Sequence, residues 1–238
     1  MNVLECFLTS DNLRVSEIAS QLGICKSSVY NILSTFESME YVRQDPVTSR
    51  YSLGIKFCEF SRAISDQFSI KKIAQPYLQE LANTEKEHVY LGEAYGDEVL
   101  YLEAFHPLEK TELMRSLMGL RVKMYCIGLG KALMAFLPEA EQAEYCHMPL
   151  EHFTENTITD PDQLLEELSR IRRQGYAVDN MEHEYGIKCV AVPVFDQLGK
   201  ICASISISGP SLRFSPERIE VLAEKLKSYA KKIGSQIY

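Results

Sequence analysis

The sequence predicts an α+β chain in which a small helical unit with a β-hairpin precedes a larger domain built on a largely antiparallel sheet. Three observations carry this: two short helical periodicities that meet at Gly23, a hairpin pattern directly behind them, and later strands that pair around tight turns and interleave with helices. The 238 residues accommodate a small domain joined to a medium one, and 46% apolar against 24% charged residues gives a core to bury rather than a disordered chain.

Val15, Ile18, Ala19 and Leu22 recur on one face of a short helix, with Ser16 and Glu17 on its polar side. Gly23 stops it, because a tight helix-to-helix turn needs the left-handed conformation that glycine accepts. Val29, Ile32, Leu33 and Phe36 repeat the periodicity in a second helix over 26–40. Ala19, four residues before Gly23, is small enough for the helices to cross closely, and Val29, six after it, closes the crossing. Tyr41, Val42 and Arg43 then read as a strand, Asp45 and Pro46 as a turn, and Arg50, Tyr51 and Ser52 as a return strand ending at Leu53 and Gly54. Helix, glycine turn, helix and hairpin in that order make a winged helix-turn-helix over 1–54. A generic helical hairpin beside an unrelated β-hairpin does not explain that order.

Over 55–68, Phe57, Phe60, Ile64 and Phe68 form an apolar seam among Lys56, Glu59, Arg62 and Asp66. This reads as a linker helix whose seam faces its own domains or a second chain. A second domain is expected over 69–238, and Ile73, Ala74, Tyr77, Leu78 and Leu81 mark the buried face of its first helix. Strands at 89–95 and 99–104 flank Gly96 and Asp97, a pair suited to a hairpin turn. A glycine-led helix follows at 128–137, and Asp160, Pro161 and Gln163 cap the start of another that ends before Gly175. Strands at 188–195 and 201–208 flank a turn at 196–199, and a last helix from Ser215 and Pro216 buries Ile219, Leu222, Leu226, Tyr229 and Ile233.

Charge and cysteine usage exclude several classes. The net charge of −8 rules out a basic surface over the whole chain, so any nucleic-acid contact must be local. No apolar run approaches the roughly 18 residues of a membrane-spanning helix, and the N-terminus lacks the pattern of a signal peptide, so no membrane is expected and cytoplasm is the default. Seven cysteines without a close pair argue against a disulfide framework and structural zinc. Gly128 to Lys131 reads G-L-G-K without the spacing or the Ser/Thr of a nucleotide-binding loop. No cofactor fingerprint or metal-ligand spacing appears. His183 is expected to order a loop.

The second helix starts with Lys26, Ser27 and Ser28 and carries Tyr30 and Asn31 away from its apolar face. Lysine suits phosphate or guanine, serine phosphate, asparagine adenine, and tyrosine the backbone or a thymine methyl. Arg43 and Arg50 on the wing join them as candidate contacts to duplex DNA. On the strand at 201–208, Ile201, Ala203, Ile205 and Ile207 share a core face; Cys202, Ser204, Ser206 and Ser208 share the other, whose ordinary explanation is a solvated sheet surface.

The chain resembles the IclR family of bacterial transcription regulators, on SEIASQLGICKSSVYNIL, YVRQDPVTSRYSLG, GLGKALMAF, GYAVDNMEHEYGIKCVAVPVFD and ASISISGP, in order along nearly its whole length. It differs in carrying Cys25 where proline is common and Asn31 where arginine is common. The resemblance implies a winged-helix domain, a linker helix and a GAF-like α/β sensor domain, assembled as dimers or tetramers on operator DNA. It implies effector contacts at Gly128, Leu129, Asp179, Cys189, Ser206 and Ser208. Chemistry supports the grouping: backbone N–H groups at a helix start attract a carboxylate, hydroxyls donate to its oxygens, and Asp179 accepts from a ligand hydroxyl. The expected function is a DNA-binding regulator controlled by a small organic or sugar acid. Two competitors are an enzyme with Cys189 or Cys126 as nucleophile, His183 as base and Asp179 as orienter, and a DNA-binding protein whose second domain only dimerises.

Overall fold

The computed structural model describes residues 2–67, 69–108 and 117–237, with backbone alone at 62, 64–67 and 69. The chain divides into two compact units, 1–68 and 69–238.

In the first unit a short α1 (Asn2–Glu5) leads to α2 (Val15–Leu22) and α3 (Lys26–Ser38), then to a two-stranded hairpin of β1 (Val42–Gln44) and β2 (Tyr51–Leu53), and finally to α4 (Lys56–Gln67). Gly23 ends α2 with φ +64°, the left-handed turn its position predicts. Ile18, Ala19, Val29 and Leu33 form the helix-crossing core, and Val42 and Tyr51 close it from the hairpin. The second helix stops at Ser38 instead of running through residue 40, since Glu40 takes φ +64°. That turn packs against Gly54, where an added Cβ would lie 2.0 Å from the Glu40 carbonyl oxygen. Phe57 and Phe60, half of the expected linker seam, pack on Tyr41 with ring centroids 5.7 and 5.8 Å away. The side chain of Ile64 and the whole of Phe68 lie outside the described residues.

The second unit opens with α5 (Ser69–Glu85), followed by β3 (His88–Tyr95), β4 (Glu98–Phe105), β5 (Arg121–Lys123), α6 (Gly128–Met134), α7 (Glu139–Cys146), α8 (Pro161–Gln174), β6 (Ala177–Asn180), β7 (Ile187–Phe195), β8 (Ile201–Pro210) and α9 (Pro216–Gly234). Its strands form one antiparallel sheet in the order β5-β4-β3-β8-β7-β6. The caps of α8 and α9 are as the sequence predicts: Asp160 and Ser215 accept from the amides of Gln163 and Arg218, each before a proline. β5, β6 and α7 are absent from the sequence reading, being short or weakly apolar. The glycine-led helix ends at Met134, earlier than expected.

Both faces of the sheet are covered. α5 and α9 pack on the side of Ile205 and Ile207, with Leu222, Leu226 and Ile233 fully buried, while α6 packs on the serine side. Burial of each such side chain contributes about 1.5–3 kcal/mol. The serine row is therefore not a solvated surface: Ser204 and Ser206 are 0% and 1% exposed. The Ser204 hydroxyl is buried without a hydrogen-bond partner, so Ser204→Ala should leave stability unchanged or raise it by about 1 kcal/mol in chemical denaturation. A loss larger than that would show that the hydroxyl is bonded. Among the described residues no helix is long and apolar enough to cross a membrane.

Candidate functional site

In the first unit, Val29 and Leu33 anchor α3 at 0% exposure and turn Lys26, Ser27, Ser28, Tyr30 and Asn31 to solvent. Arg43 is exposed on the wing, its Nε donating to Ser52 Oγ at 3.0 Å. Arg50 behaves differently. Its guanidinium donates to the Asn12 carbonyl at 2.9 Å and pairs with Glu17 at 3.2 Å, bracing the hairpin against α2. The Arg14 amide and then Arg50 hold Glu17 below the usual carboxylate range. Cys25, the N-cap of α3, is exposed with its sulfur 3.3 and 3.0 Å from the hydroxyls of Ser27 and Ser28, which hold the thiol down to about 7.

In the second unit the sheet register assembles the other group. Asp179 pairs with Cys189, Cys189 with Ser208, and Ser208 with His88, so one cross-strand row runs over four strands on one face. The adjacent row runs from Ala191 through Ser206 to Tyr90. These rows floor a cavity of about 610 Å³. Leu117, Leu120, Val122, Ile127 and Leu129 supply apolar walls, and Tyr101, His183, Glu184 and Arg213 add polar groups. Five of the six expected positions, Leu129, Asp179, Cys189, Ser206 and Ser208, line this one space. Gly128 does not open onto it. A Cβ there would meet Cys189 Sγ at 2.6 Å, so its lack of a side chain makes room for the thiol.

Asp179 is 6% exposed, and its Oδ1 accepts from the Glu182 amide at 2.8 Å. Burial outweighs that hydrogen bond and pushes the carboxyl up to about 7. Glu182 connects further: its carboxylate pairs with the fully buried Lys131 of α6 at 2.5 Å, and Lys131 also donates to the Val178 carbonyl at 2.8 Å. The lysine of G-L-G-K thus ties α6 to β6, which carries Asp179, and to the loop that carries Glu182. Glu87, 2% exposed, pairs with Arg213 at 2.7 Å. His88 and His106 approach through their Nδ1 atoms at 2.8 Å.

His88, Tyr90, Tyr101, Arg213 and the Lys131–Glu182 pair are absent from the sequence reading. A register between strands more than a hundred residues apart leaves no local signal. The cysteine-nucleophile reading finds poor chemistry here: burial pushes Cys189 up, despite amides of Gly128 and Asp179 directed at its sulfur, and pushes Cys126 up to about 12. His183 packs against Phe153 with ring centroids 5.0 Å apart and the ring planes tilted by 50°. Among the described residues no three His, Cys, Asp or Glu side chains are placed to hold a metal.

An exposed polar recognition helix with a wing, carried by a chain whose other unit encloses a polar-floored cavity, defines a DNA-binding transcription regulator. A model of the bacterial transcriptional regulator IclR C-terminal region matches residues 62–235, and one of the IclR helix-turn-helix domain matches 1–46. The chain belongs to the IclR family of transcriptional regulators. It is 32% identical to the HTH-type transcriptional regulator KdgR of Escherichia coli (strain K12), covering 99% of this chain and 89% of that one. It is 33% identical to KipR of Bacillus subtilis (strain 168), covering 100% and 94%. The crystal structure of the Thermotoga maritima IclR superposes with a TM-score of 0.78 at 35% identity, covering 99% and 95%. An IclR homolog from Microbacterium hydrocarbonoxydans, complexed with 4-hydroxybenzoate, shares the fold with a TM-score of 0.84 at 22% identity, covering 98% and 95%. These relatives are regulators, which decides the class against an enzyme.

Proposed function

We propose that the chain binds operator DNA as a homodimer or tetramer in the cytoplasm and that a small anionic effector, a keto or hydroxy acid, binds the cavity of the larger unit and changes DNA affinity. Residues 1–54 would serve as the DNA-binding domain, 55–68 as a linker and dimerisation helix, and 69–238 as the effector domain. The observation that carries the reading is the cross-strand row of Asp179, Cys189 and Ser208 beside Ser206, all facing one cavity. The Microbacterium homolog, held with a hydroxylated acid, fits the same reading. A cavity of this kind also favours a sensor over a domain that only dimerises. Because coupling between two sites is reciprocal, an acid that weakens operator binding must itself bind the DNA complex more weakly by the same factor.

At the DNA, Lys26, Ser27, Ser28 and Arg43 would position the helix on phosphates, and Tyr30 and Asn31 would reach base edges. Arg50 would act mainly by holding the wing. In anisotropy titrations Lys26→Ala and Arg43→Ala should weaken binding to every duplex and reduce its salt dependence, whereas Asn31→Ala should relax discrimination by about 1–3 kcal/mol. Equal affinity of the wild type for promoter and random duplex at physiological salt would overturn the DNA reading. Sedimentation tests self-association, and a strict monomer at micromolar concentration would contradict a two-fold operator complex.

A further inference from the structure

The cavity holds more unsatisfied hydrogen-bonding capacity than a carboxylate alone uses. Tyr90 is 6% exposed and Tyr101 half-buried, their rings meeting edge to face at 5.7 Å, and both line the cavity. Neither phenol hydroxyl has a hydrogen-bond partner among the described residues. The same holds for Ser206 and Ser208, one of which stands directly across the strand from Tyr90. Burial pushes Tyr90 up to about 12 and Tyr101 further, so both are neutral phenols able to donate and accept. None of the four hydroxyls is among the sealed unpartnered polar atoms, and all four residues line one space, so an occupant that displaces water there must replace the hydrogen bonds it removes. An apolar or flat occupant would leave them unpaired. An occupant with hydroxyls along its length would satisfy them.

Building on the effector reading, we infer that Tyr90 and Tyr101 are specificity-determining residues that select an acid carrying several hydroxyl groups over a deoxygenated acid of the same length. The physical reason is asymmetric discrimination: a site built to hydrogen-bond hydroxyls rejects an analogue lacking them, because its own polar groups are then left unpaired. Leu117, Leu120 and Val122 add apolar lining beside Tyr101 that does not compete for a ligand's hydroxyls.

The test is calorimetry on the full chain with D-gluconate, hexanoate and 4-hydroxybenzoate as probes, on wild type, Tyr90→Phe and Tyr101→Phe. Gluconate should bind more tightly than hexanoate, and each phenylalanine variant should lose about tenfold in gluconate affinity while hexanoate is unaffected. Since neither hydroxyl has a partner within the protein, both ligand-free variants should melt no lower than wild type. Hexanoate or 4-hydroxybenzoate binding as tightly as gluconate would overturn the inference while leaving an acid-binding cavity. Unchanged gluconate affinity in both variants, or a lowered melting temperature without ligand, would overturn it as well. Absence of binding by all three acids would bring down the inference together with the effector reading beneath it.

Discussion

Replacing Lys131 by methionine is expected to destabilise the larger unit by about 3–5 kcal/mol in urea unfolding of the full chain. The lysine side chain is 1% exposed, and its ammonium sits against Glu182, 5% exposed, and Glu167, 12% exposed. Methionine fills much the same volume, so packing is nearly preserved and the loss reports the carboxylates left behind. Burial already pushes Glu182 up, and Lys131 is the largest influence opposing it. Without the lysine, Glu182 takes up a proton more readily, so the deficit should be smaller at pH 5 than at pH 8. Adding Glu182→Gln to Lys131→Met should recover part of the loss at pH 8. A single-variant loss below about 1 kcal/mol would mean that the buried pair does not hold α6 to β6.

The second large effect is a fall in affinity for an anionic effector as pH rises through about 7, the value to which burial pushes Asp179. Below it the carboxyl is protonated and can donate to the ligand. Above it a buried anion faces another anion, with Glu184 and Glu182 adding like charge and Lys131 opposing it. One linked proton limits the fall to about tenfold per pH unit above that point. The sign for folding is the same: because the folded-state value is raised, the contribution to stability is complete below about pH 4 and is lost as pH climbs through about 7. Asp179→Asn fixes a neutral side chain, so its binding should be flat over that range and exceed wild type at pH 8. A flat wild-type profile from pH 6 to pH 9 would mean that the ligand does not meet Asp179.

By itself the sequence determined the local architecture. Periodicity at Val15, Ile18, Ala19 and Leu22, the left-handed turn at Gly23, and the Asp160–Pro161 and Ser215–Pro216 caps are short-range devices whose physics acts within one or two turns of chain, so each is readable where it stands. Alternation on β8 likewise gave two faces from Ala203 onward, whereas Ile201, beyond a register shift at Phe195, packs with the α6 cluster and not with Ile205 and Ile207. Alternation did not give what covered the faces, and only the placement of α6 turned the serine row from expected surface into the floor of a cavity. The same limit applies at Arg50, whose partner Glu17 lies 33 residues away. It applies at Tyr90 and Tyr101, which look like ordinary strand aromatics until the β3–β8 register sets Tyr90 opposite Ser206. Hydrogen-bond register between distant strands and the burial of a polar row depend on which segments meet, and that choice belongs to the packing of the whole sheet rather than to any stretch of residues within it.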